Sequence, residues 1–267
     1  MIKDILNIIY LNIIRELKTY TRYKAALMAI FMPILVLLLA AIVIPVLDVN
    51  IFFSASGTKN VLSFVAAGVA FSAFYELGVN ASTRLYSDMV YGTVEYIFSQ
   101  PISRYWYLVS YCITSVVAGV LPLGVLLSLS ALKSDVFVLG RLLPLLVTSI
   151  LLIGIIVQIS VILSCLVLIF KVGLSWLFGA STIIQVIAGA YVPVQVFPDW
   201  LQYISYALPF TYAYDLIHYS LLHTKTLMPV YYEWIILLMW GVVLSVIALI
   251  ALKKTEDFVK KQGLHYI

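Results

Sequence analysis

An all-α integral membrane protein is the fold class this sequence predicts, and three observations predict it. Hydrophobic residues fill 64% of the 267 positions and charged residues only 10%, where a soluble domain carries about 45–50% and about 25%. Six apolar runs reach the length of about 20 residues that a helix needs to cross about 30 Å of hydrocarbon. Basic residues gather at alternate ends of those runs, as the positive-inside rule requires.

The six runs are Ala25–Leu47, Val61–Ala81, Trp106–Leu132, Leu142–Phe170, Val172–Val192 and Tyr232–Leu252. A bilayer offers no water to the backbone, so each run is read as a helix that satisfies its own N–H and C=O groups. The first is too long for the apolar region of a signal peptide and lacks a small-residue cleavage site, so it is expected to stay in the mature protein. Between the fifth and sixth runs, Trp200–Leu222 is apolar but interrupted by Pro209, Asp215 and His218. It reads as two short helices dipping into the outer leaflet. Pro193 should end the fifth span, Pro198 should start one short helix, and Pro209 should break it and start the next. Trp200, Tyr203 and Tyr206 suit interface depth. Residues 193–231 are therefore expected to form an external re-entrant lid.

Residues 1–23 form a separate region. Ile2, Leu6, Ile9, Ile13, Leu17 and Tyr20 recur at steps of three and four, opposite Lys3, Asp4, Asn7, Arg15 and Lys18. This is the pattern of an amphipathic helix lying in the membrane interface. A continuation of the first span into the cytoplasm would instead bury Arg15, Glu16 and Lys18. Residues 24–267 make up the six-span domain.

With the N-terminus in the cytoplasm, 12 of the 16 basic residues fall on the inner side and 4 (Lys59, Lys133, Arg141, Lys225) on the outer. The expected product is a multi-pass protein of the cell membrane with both termini cytoplasmic. The net charge of +4 follows from anchoring on the inner leaflet. It predicts no nucleic-acid partner, because the basic residues sit at span ends and form no patch.

Most reactive chemistry is missing. Cys112 and Cys165 both fall inside spans with no ligand-spaced His or Cys beside them, so no metal site is expected. His218 and His223 are spaced poorly for a shared metal on one helix. The chain has no G-x-x-x-x-G-K-[ST] loop to cradle a nucleotide. It has no D-x-x-D pair to hold magnesium and a diphosphate, which argues against a membrane transferase. Glu76 is the sole acidic residue assigned to a span. Intramembrane ionisable groups default to functional hypotheses, so Glu76 reads either as a pathway residue or as a partner of Arg84. An ion-coupled secondary transporter would lean on Glu76, but no internal repeat supports that class.

The stretch Arg84–Arg104 is the most informative loop. It predicts a short helix over Ser87–Phe98, with Ser87 as N-cap, Asp88 at the positive helix end and Pro101 as the stop. Val94, Ile97 and Phe98 form an apolar stripe that must be covered, by the chain's own spans or by a docking partner.

Gly92, Thr93, Glu95, Pro101, Ser103 and Arg104 occur in the order and spacing found in one loop of the ABC-2 permeases, the membrane subunits of type-2 ABC exporters. Upstream, Ser87–Tyr91 replaces the acidic-basic run usual there. Pro198, Trp200 and Leu201, then Leu208, Pro209, Thr211 and Tyr212, resemble that family's second hallmark after the fifth span. The likeness extends to the six-span plan and the N-terminal amphipathic helix. It implies a permease that pairs with a second permease subunit, identical or different, within the lipid bilayer. Two cytoplasmic ATPase subunits would dock beneath it and supply the ATP and magnesium that this chain does not bind. The resemblance also implies that Asp88, Tyr91, Gly92, Thr93 and Glu95 form the coupling surface that receives the ATPase.

Overall fold

The structure, a computed structural model, describes residues 9–15, 18, 49–58, 60–94, 96, 104–114, 142–171 and 177–262. The predicted first span lies outside them, and so does the predicted third span beyond residue 114. Every regular element among the described residues is helical: α1 (Val49–Ser56), α2 (Val61–Val90), α3 (Leu142–Phe170), α4 (Leu177–Ile187), α5 (Asp199–Tyr206), α6 (Pro209–Leu222) and α7 (Val230–Gln262), with a 3-10 turn at Val194–Val196. Residues 9–15 and 104–114 are also helical. Of the predicted interfacial helix, only 9–15 and residue 18 are described.

The central helix is α3, which packs on α2, α6 and α7. It coincides with the predicted fourth run because nothing within it marks a polar face. A helix apolar all round belongs inside a bundle or in lipid. At the periphery, the most apolar window of α7 matches that of α3 in mean hydropathy, yet only 17% of it is buried. Leu238, Met239, Val242, Val243, Val246 and Ile247 lie on its open side. A soluble protein does not leave so large an apolar strip in water, and lipid is the solvent that tolerates it. Leu143–Phe170 and Val230–Phe258 are long and apolar enough to cross a membrane.

Two ends of the bundle can be distinguished. At one end, the Lys225 N–H donates to the Ser56 carbonyl (2.9 Å), and α1 packs on the Val194–Val196 turn. There the Trp234 indole N–H also donates to Thr148 Oγ1 (3.0 Å), joining the second turns of α7 and α3. We call this the lid end. At the other, the tip end, Arg104 pairs with Glu256 near the end of α7 (3.2 Å). Arg84, Arg104, Lys171, Lys253 and Lys254 all belong to the tip end, while Lys225 lies at the lid end. Of the four basic residues predicted on the outer side, only Lys225 is among the described residues, and it lies at the opposite end from these five.

The lid follows its prolines. Pro198 precedes α5 as its N-cap, and Pro209 opens α6 at a position where its missing N–H costs nothing. α6 is buried on nearly every side, wedged against α2, α3 and α7.

Two boundaries differ from the expectations. The predicted second span ended at Ala81, with a separate helix starting at Ser87. Instead α2 runs unbroken to Val90. No helix breaker stands between Ala81 and Met89, and Ser87 Oγ donates back to the Thr83 carbonyl (3.2 Å), so Ser87 is helix interior and not an N-cap. The true stop is Gly92, at φ +69°, a left-handed position that favours glycine. Its N–H closes onto the Met89 carbonyl (3.0 Å). The predicted fifth span ran to Val192, but α4 ends at Ile187. Gly189, at φ +85°, bonds to Val186 and Ala190 to Gln185 (both 3.1 Å), the paired closing bonds of a Schellman motif. That glycine ends the helix before Pro193 is reached. The extension of α2 also moves Glu76, which the predicted end at Ala81 put about one turn from the end of its helix. With α2 extended it lies mid-helix, roughly 20 Å from the C-terminal end at 1.5 Å per residue.

Candidate functional site

At the tip end, α2 ends in a tight turn that carries Tyr91, Gly92 and Thr93 outward. Tyr91 is 78% exposed, and nothing lies within 4 Å of where a Cβ on Gly92 would stand. Helical residues resume at Thr93 and Val94. Val94 is buried, so the apolar stripe is covered at that position by the chain itself. Tyr96 is 72% exposed. The side chain of Glu95 lies outside the described residues, as does that of Glu76.

Asp88 behaves differently from its neighbours. The sequence placed it on the outer surface of a docking helix, but it is buried, at 7% exposure. The register of α2 explains this: Asp88, Leu85 and Ala81 share one helical face, and that face packs inward. The Tyr111 hydroxyl donates to Asp88 Oδ2, and the Tyr107 hydroxyl does so from 3.4 Å. The two hydroxyls also touch each other. Arg15 on the N-terminal helical stretch approaches Asp88 Oδ1 to 3.6 Å. Its guanidinium lies 5.9 Å from the Tyr111 ring centroid. Asn12 donates to Ser110 Oγ (2.7 Å), and Thr93 Oγ1 donates to the Asp88 carbonyl (3.0 Å).

At the lid end a small cleft is lined by Thr211, Asp215, His218, Thr224 and Lys225, among others. His218 is buried, stacks on Phe64 with ring centroids 3.6 Å apart, and meets the Phe64 carbonyl at 3.1 Å. A carbonyl only accepts, so Nε2 carries the proton. Burial pushes the His218 pKa down to about 3, with the Phe64 hydrogen bond opposing the shift. His218 is a neutral pin between α6 and α2. Asp215 Oδ2 accepts from the Leu227 N–H (2.7 Å), and Glu233 Oε1 accepts from the Met228 N–H (2.9 Å). Burial pushes the Asp215 pKa up, opposed by the Leu227 hydrogen bond and by Glu233 beside it. Glu233 is fully buried within α7. Glu76 is thus not the sole acid in a span, as the sequence reading had it, because Tyr232–Leu252 contains Glu233. No group of three or more His, Cys, Asp or Glu among the described residues could hold a metal.

A family model described as ABC-2 type transporter matches residues 8–222. The chain belongs to the ABC-2 type transporter family. No curated protein matches it. As an ABC-2 permease, the chain is a membrane component of a transport system, and its apolar helices are those of an integral membrane protein. The matched region spans both the tip and most of the lid.

Sequence reasoning missed the partners of Asp88 in this permease. One signal was present: Tyr107 and Tyr111 lie four apart, on one helical face. Nothing local could pair that face with Asp88, some twenty residues earlier, or with Arg15. The Asp215–Glu233 pair left a fainter signal, two acids flanking one short loop between apolar helices. Their meeting depends on the fold of residues 223–229.

Proposed function

We propose that this ABC-2 permease is the membrane-spanning subunit of an ATP-driven exporter whose ATPase is a separate cytoplasmic chain. The observation that carries the reading is the continuity of α2. One helix of 30 residues runs from the lid end to an exposed tip. A helix of this length spans about 45 Å, enough to carry displacement from outside the bilayer through it. In this reading Tyr91, Gly92, Thr93 and Glu95 receive the ATPase, while Asp88 holds the base of the tip from inside. ATP closes two ATPase subunits beneath two permease subunits, identical or different. It drives transport only if the closed ATPases favour one arrangement of the spans over the other. ATP and magnesium stay on the partner. Six spans, an interfacial N-terminal helix, cytoplasmic termini and residence in the plasma membrane complete the proposal, with Glu76 as a candidate pathway residue.

The test is capture of the tagged chain from its native membrane in mild detergent. Vanadate-sensitive ATP hydrolysis should co-purify with it, and the chain expressed alone should neither bind nor hydrolyse ATP. Hydrolysis by the lone chain, or capture without any ATPase, would sink the two-subunit reading.

Orientation has its own check. Asp199 is exposed at the start of α5 in the lid. With Asp199→Cys, an impermeant thiol reagent added to intact cells should label the chain. Labelling only after lysis would reverse the assignment of sides.

A further inference from the structure

Three separate segments meet at Asp88. The end of α2 supplies the carboxylate. Helical segment 104–114 supplies the Tyr107 and Tyr111 hydroxyls that donate to it. The N-terminal helical stretch supplies Arg15, 3.6 Å from Oδ1. A second polar contact, Asn12 to Ser110 at 2.7 Å, ties that stretch to 104–114 independently. The tip is tied in as well, through Thr93 Oγ1 on the Asp88 carbonyl. Both oxygens of the carboxylate are engaged, each by a different segment, so one side chain of two rotatable bonds fixes the mutual placement of three helices.

A carboxylate in this position is hard to explain as packing alone. Burying a charge is costly unless it is hydrogen-bonded and paired, and an apolar residue would fill the same space without that cost. What Asp88 adds is direction. The hydrogen bonds from Tyr107 and Tyr111 are charge-assisted and therefore directional, while the Arg15 ion pair at 3.6 Å and the Asn12–Ser110 hydrogen bond hold the N-terminal stretch against the same two segments, so the three do not slide as greased surfaces can. The exposed tip at Tyr91–Thr93 begins three residues further on, immediately after α2 ends.

We propose that Asp88 is a positioning residue that clamps the tip, the N-terminal helix and the base of helical segment 104–114 into one rigid unit. A push on the tip then moves the interfacial helix and the next span together with α2. This rests on the reading of the tip as the ATPase contact, but the rigidity itself does not.

The test therefore has two arms. In the first, the full chain in nanodiscs carries nitroxides at Leu11→Cys and Tyr91→Cys, both exposed positions. The parent should give a narrow inter-label distance distribution. Asp88→Asn, which is isosteric, should broaden it at least about twofold, and Tyr111→Phe, which keeps the ring packing and removes one hydroxyl, should broaden it less. Widths equal to the parent's in both variants would overturn the clamp. In the second arm, the native complex carries Asp199→Cys in the lid. Vanadate trapping should change the rate at which that thiol reacts. Asp88→Asn should retain the ATPase and its hydrolysis but lose that change. If Asp88→Asn loses the ATPase while the label width stays parental, Asp88 is a docking contact and the clamp is wrong. A parent complex with no vanadate response would count against the exporter reading, and the first arm would still decide the clamp.

Discussion

Gly68→Ala is expected to remove most of the folded chain. A Cβ built on Gly68 would collide with the Ala190 carbonyl oxygen and stand 2.6 Å from its carbon. Both atoms are backbone, so no rotamer change relieves the clash. Residue 190 is the last residue of the Schellman turn that closes α4, and that turn is itself fixed by two hydrogen bonds, one of them donated by the Ala190 N–H. Either α2 moves away from the lid or the turn opens. Overpacking a well-filled site costs about 1–3 kcal/mol and occasionally more; with a backbone partner, the upper end or beyond is expected. Glycine also lets α2 and the lid junction approach more closely than any other residue could. The control is Gly241→Ala on α7, where nothing described lies within 4 Å of the added carbon. There alanine should be neutral or stabilise by roughly 0.5–1 kcal/mol through helix propensity. Monodisperse yield and melting temperature in one detergent compare the two. A Gly68→Ala protein that purifies and melts like the parent would mean that α2 and residue 190 are not in contact.

Glu95→Lys should abolish recovery of the ATPase with the permease. If the tip is the docking surface, the substitution places a positive charge where the partner expects a negative one. A like-charge juxtaposition costs several kcal/mol at an interface, and each 1.4 kcal/mol is tenfold in affinity. Dissociation by a factor of a hundred or more would leave no complex after purification. Tyr91→Lys, at a position that is 78% exposed, should act in the same direction with little effect on the fold. Gly92→Trp is a poorer probe than the loop sequence suggests. At φ +69° any side chain strains the stop of α2, so loss of docking would be mixed with local unfolding. Unchanged co-purification in both charge variants would show that the ATPase binds elsewhere. Failure of both to accumulate in the membrane would instead make the loop structural.

Composition alone determined the solvent. A chain 64% hydrophobic and 10% charged can bury its surface only in lipid, where the backbone must satisfy itself in helices or a closed barrel, and unbroken apolar runs of about 20 residues select helices. Local chemistry also placed α3 to the residue, because its apolar run begins and ends sharply, and placed α5 and α6, because proline acts on its own backbone. Loop motifs located the tip and the lid by resemblance. Helix ends governed by glycine were misjudged. Gly92 and Gly189 stop α2 and α4 through a left-handed φ that many glycines never adopt, and a sequence does not announce which ones do. The role of Asp88 was beyond reach for a further reason. Its position near the tip was legible, but burial depends on which face of α2 turns inward, and its partners come from segments 19 to 73 positions away. Hydrogen bonds of that kind are decided by packing three helices at one end of the bundle, so only the tertiary structure could turn a surface acid into a buried clamp.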